Sequence, residues 1–214
     1  MKKIMKYIPT IILTLLCSCS DYLDIVPDNV TTLDIVFNNR NTAERYLANC
    51  YHFVPDHGSV KRIPGMGAGH ECWFYTTNDS HFDNEVSFYI ARGLQNIDAP
   101  YANYWDGEGG SNLPMFRAIR ECNIFLDYVR DQHKVNDLTD SERKRWIAEV
   151  NVLKAYYHFF LFEHYGPIPI VDKALPVSTD PEGVKVTRMP VDQIVDYMVK
   201  LIDDSYKDLP PVIT

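Results

Sequence analysis

Thr139-Asp-Ser-Glu-Arg-Lys-Arg-Trp146 and, a turn further on, Glu149-Val-Asn-Val-Leu-Lys-Ala-Tyr-Tyr-His-Phe-Phe-Leu161 belong to one unbroken helical segment. Thr139 and Glu142 have the spacing of a capping box, in which each side chain satisfies the other's backbone N–H. Gly166-Pro167 ends the segment, because glycine accepts the conformation past a helix end and proline cannot continue the helix. Trp146, Val150, Leu153, Tyr157 and Phe160 form one stripe, and Ile147, Ala155, Phe159 and Phe162 widen it. At 1.5 Å per residue this helix is about 39 Å long. An apolar surface that broad must meet neighbours on more than one side.

Working outward, a second helix precedes it. It opens after Pro114, a good first-turn residue, and Met115, Ile119, Cys122, Leu126 and Val129 recur at three- and four-residue steps to about Asp131. The short polar connection between the two predicts an antiparallel helical hairpin. A further helix spans about Pro190 to Lys207, with Ile194, Val195, Met198, Leu201 and Ile202 inward. The earliest starts near Asn41, where Asn41 and Glu44 have capping-box spacing, and runs toward Pro55. The connector Gly166 to Met189 carries four prolines, and its Ile168-Pro-Ile-Val171 is extended because residues before proline avoid the α region.

Between the first two helices, Asp56 to Leu113 shows no sustained helical period and is rich in Gly, Asn, Asp and aromatics. A stretch of that length inside a compact domain reads as a functional excursion with short elements of its own. The expected class is therefore all-α: tetratricopeptide-like helical hairpins with a long, irregular, aromatic-rich excursion. No clean repeat of about 34 residues supports the solenoid grammar by periodicity.

The N-terminus reads as an export leader over residues 1–18. Lys2, Lys3 and Lys6 precede an apolar run from Tyr7 to Leu16, which ends in Leu16-Cys17-Ser18-Cys19. The run is shorter than the ~20 residues a bilayer span needs, and it suits a cleaved signal. The ending resembles a bacterial lipobox, with Cys19 as the acylated residue because Ser18 before it is small whereas Leu16 before Cys17 is bulky. An uncleaved anchor or an ordinary signal peptide is the alternative.

The chain has 214 residues and a net charge of −8. Removing the leader takes away three lysines and no acid, so the charge becomes −11. That disfavours nucleic acid as a partner, and it disfavours adsorption to anionic lipid, which leaves the acyl chains as the membrane attachment. Beyond Cys17 and Cys19 stand Cys50, Cys72 and Cys122 with no C-x-x-C spacing. Either one disulfide leaves a free thiol or all three are small buried residues, the reading favoured here. Much of the aromatic content, 14 Tyr, 10 Phe and 3 Trp, must fill a core, but tyrosine exceeds what cores usually hold, because each buried hydroxyl needs a partner. Exposed rings are also what holds the C–H face of a sugar.

Several stretches together resemble a known family. Cys19-Ser-Asp-Tyr-Leu-Asp-Ile-Val-Pro27, Phe37-Asn-Asn-Arg40 and Tyr46-Leu-Ala-Asn-Cys-Tyr51 look like the start of the SusD/RagB lipoproteins of Bacteroidetes. Trp105, Phe116 to Asn123, Glu149 to Leu161 and Tyr165-Gly-Pro-Ile-Pro-Ile170 resemble its next helices, with Lys154 where an arginine is usual. The resemblance implies a lipid-anchored protein of the cell outer membrane, exposed at the surface and without catalytic chemistry. It would capture a glycan, or sometimes a peptide, and deliver it to a SusC-like TonB-dependent transporter. Family members are more than twice as long, so residues 19–214 read as an N-terminal portion of that fold. A helical scaffold binding protein partners, or a fragment without activity, are the other readings.

Candidate ligand residues lie in the excursion. Trp73 and Tyr75, with Asn78 and Asp79, and Tyr101 with Tyr104 would form aromatic platforms flanked by amides and acids. The bland reading is that these rings pack the excursion onto the helices, and it is preferred for Trp105. Gly65-Met-Gly-Ala-Gly69 follows no strand and reads as a flexible loop. His70, Glu71, Asp79, His81 and Asp83 fit neither a zinc helix nor an EF-hand, so no metal and no cofactor are expected. No G-x-S-x-G occurs. Lys154 and His158, a turn apart, are given no role.

Overall fold

A computed structural model describes residues 32–58, 65–69, 86–98, 100–107, 113–176, 182 and 185–211. The predicted leader, Cys19, Cys72 and the excursion residues Trp73, Tyr75, Asn78 and Asp79 lie outside these. The chain divides into a short unit, Met1–Ile35, and a main unit, Val36–Thr214. A single turn, α1 (Leu33–Val36), crosses the division.

The main unit is helical, and no strand occurs among the described residues. α2 spans Arg40–Tyr51. Its N-cap is Asn39, whose side chain accepts from the Thr42 N–H at 3.1 Å, so the helix begins before the Asn41 expected from spacing. Two short helices, α3 (Gly65–Ala68) and α4 (Val86–Ala91), interrupt the excursion. The glycine-rich stretch is thus a helical turn rather than a loop.

α5 (Met115–Arg130) and α6 (Asp140–Tyr165) form the predicted hairpin. Pro114 occupies the cap position of α5, one residue before its first turn. Both bonds of the Thr139–Glu142 capping box are present, and Gly166 closes α6 at φ 66°. The helices run antiparallel: the Arg143 guanidinium reaches the Val129 carbonyl, while Trp146, farther along α6, meets Phe125, farther back on α5, with 6.3 Å between ring centroids. Arg143 is buried and also donates to the carbonyls of Asp131, Lys134 and Val135, at 3.2, 3.1 and 3.0 Å. It satisfies the polar backbone of the turn between the helices, which a buried turn would otherwise leave unpaired. Val135, in that turn, sits at φ 51°, a conformation β-branched residues rarely adopt, and donates its N–H to the Phe37 carbonyl at 3.1 Å.

α7 (Val191–Asp203) and a 3-10 turn (Tyr206–Asp208) close the chain against α6. Ile194 and Met198 are buried as expected, whereas Val195 and Ile202 are 38% and 45% exposed. The apolar arc of α7 is wider than α6 can cover. Phe159 of α6, 48% exposed, lies with Val195, Val199 and Ile202 along one apolar groove.

Phe37, Tyr104, Phe125, Tyr157 and Phe160 are fully buried in the core. The hydroxyl requirement is met there: Tyr157 donates to the Cys50 carbonyl and Tyr46 to the Glu121 carboxylate. Cys50 and Cys122 are buried and unbridged, and a hydrogen bond with Cys50, together with burial, holds the Cys122 thiol well above its usual range.

Candidate functional site

The return of the excursion is tied to the helical hairpin residue by residue. The Tyr104 N–H donates to the Tyr165 hydroxyl at 2.8 Å, at the last residue of α6. Met115 and Phe116 then donate their N–H groups to the carbonyls of Tyr104 and Trp105, at 2.9 and 3.4 Å. Gly107, at φ 82°, passes so close to Pro114 that a Cβ there would fall 2.9 Å from its ring and backbone nitrogen. Only glycine fits that approach.

This architecture separates the two candidate tyrosines. Tyr101 is half-buried and stacks on Tyr89, ring centroids 4.3 Å apart and 6° from parallel, and its N–H donates to Gln95 Oε1 at 2.8 Å. Tyr104 is 0% exposed, its ring edge-on to Phe160 and His164. The expectation that Tyr104 offers a surface to a ligand is corrected: hydrogen bonds on both sides of its backbone turn the ring into the core. Burial also raises its phenol well above the usual range.

Trp105, the next residue, is half-buried at the edge of a groove of about 280 Å³ between α5 and the proline-rich connector. Its ring is fixed edge-on against Phe116 at 4.6 Å and Tyr165 at 5.5 Å, with the Arg188 guanidinium 5.1 Å from its centroid. Val171 and Leu175 supply apolar wall, and among the described residues Arg120 and Lys173 are the charged ones that line it.

The connector is held by a polar cluster that sequence spacing did not reveal. Lys154 Nζ, on α6, lies 2.7 Å from Asp172 Oδ1 and 3.0 Å from the Asp172 carbonyl. Tyr197, on α7, donates to the same Oδ1 at 2.8 Å. Burial pulls the Lys154 ammonium below its usual range, opposed by Asp172. Partial burial pushes Asp172 upward, but hydrogen bonds from Lys154 and Tyr197 and the lysine's charge hold it below the usual carboxylate value. Burial raises Tyr197, and its bond to Asp172 adds to this. His158, fully buried, places Nδ1 2.7 Å from the Lys154 carbonyl, and the Val171 N–H points at Nε2 from 3.4 Å. One nitrogen donates and the other accepts, which is the neutral imidazole, and burial pushes the group down to about 4. The available sequence signal was the place of Lys154 on the helix, one turn from Val150 and from the ring of Tyr157, both on the apolar stripe.

No group of three metal-ligating side chains occurs among the described residues. No helix among them is long and apolar enough to cross a membrane.

Comparison with known proteins places this scaffold. Residues 21–213 match the SusD-like family described as starch-binding and associating with the outer membrane. No curated protein matches the chain. Among solved structures, a laminarin-binding SusD-like protein superimposes with a TM-score of 0.63 at 17% identity, over 83% of this chain and 36% of its own. A SusD-like protein from Bacteroides fragilis gives 0.61 at 16% identity, over 90% and 33%. A SusD-like carbohydrate-binding protein from Bacteroides vulgatus gives 0.54 at 17%, over 83% and 37%. The chain thus spans about a third of the length of each of these structures, and at such identities the likeness is one of fold.

Proposed function

Because the chain belongs to the SusD-like family, we propose that it is a cell-surface binding lipoprotein that captures an oligosaccharide and delivers it to a SusC-like TonB-dependent transporter in the outer membrane. The observation that carries this reading is the family match across residues 21–213. Acylation of Cys19 tethers the protein to the outer membrane, and residues 1–18 are removed on export. Capture is by the excursion: Trp73, Tyr75 and Tyr101 stack on sugar rings, and Asn78 and Asp79 hydrogen-bond their hydroxyls. The role is binding and hand-over, with no bond made or broken. The Tyr89–Tyr101 stack supports this reading, because it holds a ring rigidly at the surface before any ligand arrives.

Isothermal titration against a panel of oligosaccharides and peptides tests it, alongside purification from membranes to recover a co-migrating β-barrel transporter. Binding of a glycan that is lost in Trp73→Ala and Tyr75→Ala is the expected result. Silence across the panel with no transporter recovered sinks the proposal.

A second reading, a helical scaffold for protein partners, is favoured by the apolar groove between α6 and α7. Under it, those two alanine variants leave partner binding intact.

A further inference from the structure

We propose that the groove beside Trp105 is a second saccharide subsite and that it takes a sugar residue carrying a carboxylate, a uronic acid. This rests on the glycan-binding reading above, and it concerns residues separate from the excursion platforms.

The first argument is size. At about 280 Å³ the groove lies at the small end of ligand sites, which begin near ~300 Å³. That suits a single sugar ring rather than an extended chain. The walls suit a pyranose as well. Trp105 and Phe116 present aromatic surface, and Val171 and Leu175 present aliphatic surface, to the C–H faces of such a ring.

The second argument is charge. The protein as a whole carries −8, yet among the described residues the ionisable ones lining this groove are Arg120 and Lys173, both cations. Lys173 is exposed and has no ion-pair partner among the described residues. Asp172, the carboxylate beside it in the chain, is already engaged by Lys154 and Tyr197. Arg120 Nη1 donates to the Leu175 carbonyl, which fixes the guanidinium plane while leaving further donors. A planar fork on the α5 wall and an ammonium on the connector wall suit a carboxylate held between them, for which charge-assisted hydrogen bonds are the strong ones.

The third argument is rigidity. The connector wall is anchored from behind by Asn123 Nδ2 donating to the Val171 carbonyl at 3.0 Å, by the Val171 N–H at His158, and by Lys154 on Asp172. Met189 N–H to the Ile168 carbonyl, at 3.0 Å, closes the connector on itself. Lys173 is therefore presented by a fixed stretch of backbone, which lowers the ordering cost of binding.

The test is calorimetry with three probes: a galacturonic acid trimer, the neutral galactose trimer, and sodium sulfate. The uronate trimer is expected to bind more tightly than the neutral one. Lys173→Met should weaken uronate binding about tenfold, the worth of one hydrogen bond to a charged group, and Lys173→Arg should restore it. Raising sodium chloride from about 50 to about 500 mM should weaken the uronate and leave the neutral trimer unchanged, since added salt screens exposed charge. Equal affinity for the two trimers, or a uronate affinity untouched by Lys173→Met, overturns the inference and leaves glycan binding standing. Sulfate binding that depends on Lys173 without uronate binding overturns it as a simple anion site. If no saccharide binds here or in the wider panel, the glycan-binding reading falls too.

Discussion

Lys154 and Asp172 form an ion pair of unequal halves: the ammonium is 1% exposed and the carboxylate 72% exposed, with 2.7 Å between Nζ and Oδ1. The two partners therefore differ in what their loss leaves behind. Asp172→Ala strands a buried cation and should destabilise the protein by about 3 kcal/mol, the range seen when one member of a buried pair is removed. Lys154→Met removes the buried charge with similar volume, leaves a carboxylate that water can solvate, and should cost within about 1 kcal/mol. Urea denaturation at neutral pH measures both. Equal losses would show that the pair is not asymmetric.

His158 predicts a dependence on pH. Its folded value is near 4, against 6.5 for the free group, because burial disfavours the charged ring. As pH falls below 6.5 the unfolded chain takes a proton that the native chain refuses, so stability declines down to about pH 4 and the effect is absent above 6.5. Asp172, held below its usual value, adds a loss of the same sign at still lower pH. The His158 effect amounts to at most about 3 kcal/mol. Comparing denaturation midpoints at pH 7 and pH 5 for the wild type and His158→Gln reads it, and the variant should be much the flatter of the two.

Tyr101 and Tyr104 should separate by phenotype. Tyr104→Ala empties a buried site and should cost about 3–5 kcal/mol. Tyr101→Ala removes a half-buried ring stacked on Tyr89, and should lower glycan affinity while changing stability by no more than about 1 kcal/mol. Thermal melts together with titration distinguish them. A stability loss as large for Tyr101 as for Tyr104 would remove Tyr101 from the binding surface.

The cap of α6 is worth testing because Glu142 serves two elements at once. It completes the Thr139 capping box and accepts from Arg40 Nε, on α2, at 3.0 Å. Thr139→Ala should cost about 1 kcal/mol, and Glu142→Ala somewhat more, since it also releases Arg40. A chemical-denaturation series with the double variant reports whether the two losses share one network.

Local signals carried across from sequence to structure, and signals that depend on distant partners did not. The Thr139–Glu142 box was legible because its partners are three residues apart. At α2 two asparagines compete, and Asn39 caps the helix because its extended backbone aims the side chain at Thr42. Tyr101 and Tyr104 look alike in sequence; what divides them is Phe160, His164 and the Tyr165 hydroxyl, some sixty residues away. The role of Lys154 was invisible for the same reason, since Asp172 and Tyr197 arrive on two later segments. The exposure of Val195 and Ile202 depends on how much of α7 a neighbour covers, which helical periodicity does not encode.

The knot of hydrogen bonds joining Tyr104, Tyr165, Met115 and Phe116 has a consequence for how such a protein diversifies. It fixes the return end of the excursion on the helical chassis, independently of what the excursion contains. Lengthening a loop costs only about 0.6 kcal/mol for each doubling. The segment after α2 can therefore be exchanged like a cassette, one aromatic surface for another, while the hairpin behind it keeps its register.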